Sequence, residues 1–329
     1  MNLAQNKIKE KMTIRAENIL PFPLMLPVRP QTEDIEQIRK FKLIDTLAIS
    51  KKNNIRFAVY ENGEGEKAFA KRWGGKFYDT EYYWLKREIE IYQGLKDLRN
   101  YIGCGLEIRY PTIHTPALLG AVTGEKNILA LLKFIDACPL ESLSAEKMVE
   151  IVSEVIEYMR YIGEELVKFN KGILVKRSNT FFALKAPFVF AWAAFQRPAH
   201  AWELATAFFK FLRALPDLFA LRGMVFVHRD LANHNIMVNG ADVYVIDFGS
   251  SAMMNPVWEL VGTVAGNWHI KDFTAKFLES YLMKEIFSDR RKSSLYKAFS
   301  MYAAAHRLAT HSEDRLASNL DYFRYTLAL

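Results

Sequence analysis

The chain has 329 residues, half of them hydrophobic and a quarter charged, which excludes disordered and fibrous classes and suffices for one large or two medium cores. Its 44 Lys+Arg exceed its 37 Asp+Glu to give a net charge of +7, compatible with a small polyanion but too diffuse to indicate nucleic acid. Cys104 and Cys138 lack metal-ligand spacing and cannot build a disulfide framework, so a reducing cytoplasm is the expected compartment.

Residues 1–40 read as an N-terminal extension, a short basic stretch followed by a proline-punctuated segment. Pro21, Pro23 and Pro27 interrupt the apolar run that a secretory leader would need. From Phe41 the pattern becomes strand-like. Leu43–Ile49 and Ile55–Tyr60 flank a turn at 50–54, and Asn62-Gly63-Glu64-Gly65 turns the chain into a third strand, Lys67–Trp73. A helix is expected over Thr80–Leu98, with Trp84, Leu85, Ile89, Ile91, Tyr92 and Leu95 as its apolar positions. Two further strands are expected at Ile108–Ile113 and Asn127–Ile135.

Pro139 marks the boundary that closes the strand-rich region 41–136. The helical register of Met148, Val152, Val155, Met159, Ile162 and Leu166 follows, with Ser144 as its N-cap. The remainder of 137–329 reads as helical apart from a strand–loop–strand island at Val225–Ile246. The most hydrophobic run, Ala186–Phe195, is too short for a membrane span and is bracketed by Lys185 and Arg197. It reads as core, with contact at a membrane surface as the alternative. The wider aromatic stretch Phe181–Phe211 is either core or the lining of an acceptor pocket.

The island carries the chemistry. His228-Arg229-Asp230-Leu231 leads to Asn235, and Asp247-Phe248-Gly249 follows a hairpin turned at Asn239-Gly240. Phosphoryl transfer needs a carboxylate beside the acceptor hydroxyl and oxygen ligands holding Mg²⁺ on the nucleotide phosphates. Asp230 suits the first role, and Asn235 and Asp247 suit the second. Gly249 permits a sharp turn after the metal ligand.

The segment at 228–249 resembles the catalytic core of the protein-kinase-like superfamily, in layout most similar to aminoglycoside phosphotransferases and choline-type small-molecule kinases. The resemblance implies an α+β, bilobal fold with ATP in the cleft. A small antiparallel N-lobe sheet with one key helix would occupy 41–136, and a large, mainly helical C-lobe 137–329. It also implies a third-strand lysine paired with a glutamate of the following helix. Ala68-Phe69-Ala70-Lys71 matches that pattern, and Glu88 is in phase to face the sheet; Lys67, Arg72 and Glu90 compete for the two roles. Adenine would lie against the strand end at Phe134 and Asp136. No glycine-rich loop stands at 50–54, where backbone amides, Ser50 and a lysine are the candidate phosphate contacts and a plain exposed turn is the alternative.

About 92 residues separate Asp136 from His228, and about 80 follow Gly249, with no Ala-Pro-Glu among them. Both lengths resemble small-molecule or glycolipid kinases more than protein kinases. Ala232 replaces the lysine of Ser/Thr protein kinases. His228 reads as structural, bonded to backbone near Asp247, and His234 as a packing residue of the loop, with help in neutralising the transferred phosphate as its alternative role. The acids and bases of 137–329 nearly balance, which disfavours a polycationic acceptor. The alternatives are a lipopolysaccharide-core sugar kinase at a membrane surface, a protein kinase, or a catalytically silent pseudokinase.

Overall fold

The structure, a computed structural model, describes residues 38–49, 55–74, 80–102, 109–124, 127–169, 175–221, 223–311 and 313–329. In chain order these form β1 (Lys42–Ile49), β2 (Ile55–Glu61), β3 (Lys67–Gly74), α1 (Thr80–Ile102), β4 (Ile113–His114), β5 (Leu118–Thr123), β6 (Asn127–Lys133) and β7 (Cys138–Pro139). There follow α2 (Ala145–Phe169), α3 (Asn179–Gln196), α4 (Ala201–Arg213), α5 (Leu215–Ala220), β8 (Val225–Val227), β9 (Ile236–Asn239), β10 (Asp242–Val245) and β11 (Ala252–Met254). The last five are α6 (Val257–Gly266), α7 (Lys271–Leu278), α8 (Tyr281–Ser288), α9 (Arg290–Thr310) and α10 (Leu316–Ala328).

The chain divides into two compact units. The first comprises residues 1–93 and 116–135, the second 94–115 and 136–329. In the first, five antiparallel strands form a sheet in the order β1-β2-β3-β6-β5. Side chains alternate across β3. Ala68 and Ala70 are buried on one face with Ile38, Phe41, Tyr60 and Leu131. On the other, Phe69 stacks on Phe57 at 5.9 Å, and Trp73 meets Tyr82 of α1 edge-on at 5.0 Å. That edge-to-face contact fixes α1 against the sheet.

One expected strand is displaced. The fourth strand of this sheet is Leu118–Thr123 rather than Ile108–Ile113. Pro111 has no N–H for a ladder, and Ile113–His114 instead pairs in parallel with β10 in the second unit. Trp84 is also exposed, outside the buried face of α1 that Leu85, Ile89, Tyr92 and Leu95 build.

In the second unit, α2 follows its expected register. Met148, Val152, Val155, Met159, Ile162 and Leu166 are all buried, and the Lys147 N–H donates to Ser144 Oγ at 3.4 Å. Gly163 sits on this buried face because the chain needs it: a Cβ there would stand 2.0 Å from Phe226 Cβ on β8. The long helix α9 is the centre of the helical layer and packs on α3, α4, α6 and α10. The island forms a four-stranded sheet, β4-β10-β9-β7, and a separate ribbon, β11-β8.

Candidate active site

The first unit supplies a buried ion pair. Lys71 lies between Phe57 of β2 and Ala130 of β6, on the strand at the middle of the sheet. Glu88 lies one turn beyond Leu85 and one turn before Tyr92 on the buried stripe of α1. Lys71 Nζ donates to Glu88 Oε1 at 2.8 Å and to Oε2 at 2.9 Å, with the two residues only 7% and 3% exposed. Burial of two charges is tolerable because each neutralises the other. The competitors differ in position. Lys67 and Glu90 are exposed, and Arg72 is on the opposite face of β3.

Ser50 lies outside the described residues. Phe134 is half-buried just past the end of β6, and Asp136 is exposed two residues on. The Phe134 N–H donates to Lys67 O at 3.1 Å and prolongs the β3–β6 pairing. It is therefore occupied within the sheet.

The second unit carries the loop. β8 and β11 pair antiparallel, Val227 opposite Ala252, so the chain entering at His228 and leaving after Gly249 is closed by its own two ends. Between them β9 and β10 form the expected hairpin, with Gly240 at φ 60° in the turn. Asp230 is exposed and Asn235 is buried. Asn235 Nδ2 donates to the Asp230 carbonyl at 2.7 Å and to Asp230 Oδ2 at 3.3 Å. The Ile246 N–H donates to Asn235 O at 3.0 Å, so Asp247 stands one residue past a hydrogen bond to Asn235. Asp230, Asn235 and Asp247 thus converge through one hairpin.

Among the described residues, Arg229 (φ 72°) and Asp247 (φ 65°) are the non-glycine residues in the left-handed region. Such residues cost about 1–3 kcal/mol each and persist only where surroundings over-determine them. Here the restraints are visible. His228 Nε2 is 2.9 Å from Ile246 O, Ser250 Oγ donates to His228 O at 2.9 Å, and Arg229 Nη1 donates to Ser250 O at 2.9 Å. His228 is therefore bonded to backbone beside Asp247, as its place in the sequence suggested. His234 is exposed, so it does not pack within the loop. The short helical turn Asn233–Asn235 directs it outwards while burying its two asparagine neighbours.

A support on α6 went unnoticed in the sequence. Buried Glu259 accepts the His228 N–H through Oε2 at 2.5 Å and the Arg229 N–H through Oε1 at 3.3 Å. Burial pushes its carboxyl up to about 7, against the pull of those two donors and of the Arg160 and Arg229 charges. One and two turns on, Gly262 and Gly266 let the loop approach the helix. A Cβ at 262 would stand 3.0 Å from Arg229 O, and one at 266 would stand 3.2 Å from Ala232 Cβ. Asn267 completes the seat by accepting the Asn233 N–H at 2.7 Å and donating to Leu231 O at 3.2 Å. The readable signal was a polar and small stripe at helical spacing, Glu259–Gly262–Gly266, in an otherwise apolar helix.

The five-stranded sheet with its lysine-bearing third strand, followed by a helical unit with this loop, is the α+β architecture of protein-kinase-like phosphotransferases. The chain belongs to the phosphotransferase enzyme family (APH), whose family model matches residues 122–296. A search of the curated proteins found no match. Among solved structures, it is similar to the aminoglycoside phosphotransferase APH(4)-Ia, a thermostable mutant in ternary complex with AMP-PNP and hygromycin B. That likeness has a TM-score of 0.58 and 12% identity over 91% of this chain and 96% of that one. It is also similar to APH(2")-IIa in its streptomycin–ATP complex, with a TM-score of 0.54 and 14% identity over 90% and 99% of the two chains. The amicoumacin kinase hAmiN, in a complex with AMP-PNP and Ca²⁺, matches with a TM-score of 0.54 and 11% identity over 98% and 96%. The protein is a phosphotransferase.

Proposed function

We propose that this enzyme transfers the γ-phosphate of ATP to a hydroxyl group of a small molecule or sugar. The observation that carries the reading is the loop: an exposed Asp230 carboxylate held by the buried Asn235 amide, with Asp247 returned beside Asn235 by the hairpin. Asp230 orients the acceptor hydroxyl and takes its proton. Asn235 and Asp247 are the magnesium ligands. They fit that ion because both offer hard oxygens: the Asn235 NH₂ donates to Asp230, which leaves Oδ1 as the acceptor end. When bound, the ion neutralises charge on the nucleotide phosphates.

Lys71, held by Glu88, contacts the α- and β-phosphates, and Ser50 is a further phosphate contact. Adenine hydrogen-bonds the backbone at Phe134 to Asp136. Since the Phe134 N–H is already taken, it uses the groups beyond it. The near balance of acids and bases in 137–329 favours a neutral hydroxyl compound over a polycation. A cytoplasmic setting, supported by the free, exposed thiol of Cys138, belongs to the same reading.

The test is transfer of labelled γ-phosphate from ATP across a panel of sugars, amino alcohols and antibiotics, beside Asp230→Asn. Label in an organic small molecule, lost on the order of 10²–10⁴-fold in kcat for the variant, is the expected result. Label in protein alone, or transfer undiminished in Asp230→Asn, would overturn it.

A further inference from the structure

Helix α3 has apolar residues on two opposite faces. Phe182, Ala186, Phe190 and Ala193, spaced by four, four and three residues, are buried on the side that packs on α9. Leu184, Phe188, Trp192 and Phe195, at the same spacing, are exposed; Phe188 is 76% accessible, and Trp192 stacks on Phe195 at 5.7 Å. The helix carries a single charge, Lys185, and no acid. Packed beside it, α4 exposes Trp202 (83% accessible) and Phe209, two turns apart on one face, and that face continues one turn further to Arg213. Large apolar side chains exposed in such number on two packed helices are uncommon unless something covers them.

The chemistry beside the stripe says what covers it. Arg213 and Lys210 of α4 line a cavity of about 650 Å³ together with Arg290, Lys297, Ser293 and Ser294 of α9, with Asp217 as its one acidic side chain and the terminal Leu329 also on its wall. Among the described residues none of those four cations has a carboxylate partner, although Lys210 Nζ donates to the Leu327 carbonyl at 2.5 Å. Glu203, the one acid between residues 176 and 213, is 2.6 Å from His200 Nδ1. An aromatic face rich in tryptophan and phenylalanine, adjoined by unneutralised cations, matches an anionic bilayer surface, where indole and phenyl rings enter the interface and Lys/Arg meet phosphates. No helix among the described residues is long and apolar enough to cross a membrane, so the contact lies on the bilayer rather than through it.

We propose that the α3–α4 face docks on membranes containing anionic phospholipid, with the basic cavity taking a lipid phosphate. The site is independent of Asp230, Asn235 and Asp247, and its occupancy does not depend on the identity of the acceptor.

Flotation of the full chain with phosphatidylcholine vesicles, with and without phosphatidylglycerol, tests it. Wild type should float with the anionic vesicles and not with the neutral ones, and less at high salt. Phe188→Ser with Trp202→Ser should weaken that binding at least tenfold, and Lys210→Gln with Arg213→Gln should weaken it at low salt. Both pairs replace exposed residues, so circular dichroism and thermal melting should match wild type. Tryptophan emission, compared with Trp192→Phe/Trp202→Phe, should be that of exposed indoles and shift to the blue with anionic vesicles. Four results would overturn the proposal: no flotation, equal flotation with neutral vesicles, equal binding by the apolar pair, or inorganic phosphate binding with which vesicles do not compete. Two others would assign the face elsewhere and equally overturn it. One is a dimer in light scattering that the apolar pair dissociates, which means a second copy. The other is blue emission that vesicles leave unchanged in a monomer, which means residues 1–37 of the same chain.

Discussion

Replacement of Glu259 by alanine removes the acceptor of two backbone N–H groups at the entrance of the catalytic loop, on His228 and Arg229. The His228 donor is buried and the Arg229 donor part-buried, and a buried donor that loses its acceptor costs about 1–3 kcal/mol, so the loss is of that order. The same substitution removes a carboxyl that burial disfavours as an anion. Its ordinary value of 4.5 rises to about 7 in the folded protein, which makes the ionised form on the order of 3 kcal/mol less favourable there than in the unfolded chain. The sign follows from linkage: the folded state holds the proton more tightly, so this group's contribution is most favourable below about pH 4.5 and declines as pH climbs to about 7. Urea denaturation at pH 5 and pH 8 should therefore show Glu259→Ala destabilised at pH 5, with the gap narrowing or closing at pH 8. Glu259→Gln, which keeps one acceptor oxygen and cannot ionise, should fall between the two proteins at pH 5 and lack the slope. Because Arg229 would lose a restraint on its left-handed backbone, kcat should drop while KM for ATP stays near wild type. A midpoint within about 0.5 kcal/mol of wild type at both pH values, or a gap that widens with pH, would refute the role given to Glu259.

Lys71→Ala removes the lysine paired with the buried Glu88 carboxylate and should cost stability as well as ATP use, whereas exposed Lys67→Ala should change stability by no more than about 0.5 kcal/mol. Equal losses of kcat/KM in the two variants would reassign the pair. Gly262→Ala places a Cβ 3.0 Å from Arg229 O, so the loop must yield by a few tenths of an ångström. Its expected effect is about 1–3 kcal/mol in urea titrations with a larger fractional loss of kcat, and an unchanged kcat would show that the loop is not seated on α6.

The legible parts of the molecule are those in which one local periodicity decides the outcome. Two-residue alternation separated Lys71 from Arg72, helical phase separated Glu88 from Glu90, and Asn239-Gly240 fixed the hairpin that carries Asp247 back to Asn235. The fourth sheet strand departs from expectation because Ile108–Ile113 is apolar enough for a strand; Pro111 already counts against it in the sequence, while the parallel pairing of Ile113 with Val243 is a tertiary fact. Glu259 and Gly262 escaped notice because they act on a loop thirty residues away and look locally like ordinary helix positions. Periodicity also cannot separate the two apolar stripes of α3, since the same four-four-three spacing occurs in both and only packing on α9 decides which is buried. His234 illustrates a related limit. Its neighbours Asn233 and Asn235 are buried, and one short helical turn is enough to turn it to solvent.

We propose that the 228–249 loop holds a magnesium-bound nucleotide through Asn235 and Asp247. Calorimetric titration of ATP, with and without Mg²⁺, into wild type, Asp247→Ala and Asn235→Ala tests it most directly. Mg²⁺ should strengthen ATP binding to wild type, and this strengthening should disappear in Asp247→Ala and be reduced in Asn235→Ala, with thermal melting showing each variant folded. Magnesium-enhanced binding that survives intact in a folded Asp247→Ala protein would contradict it.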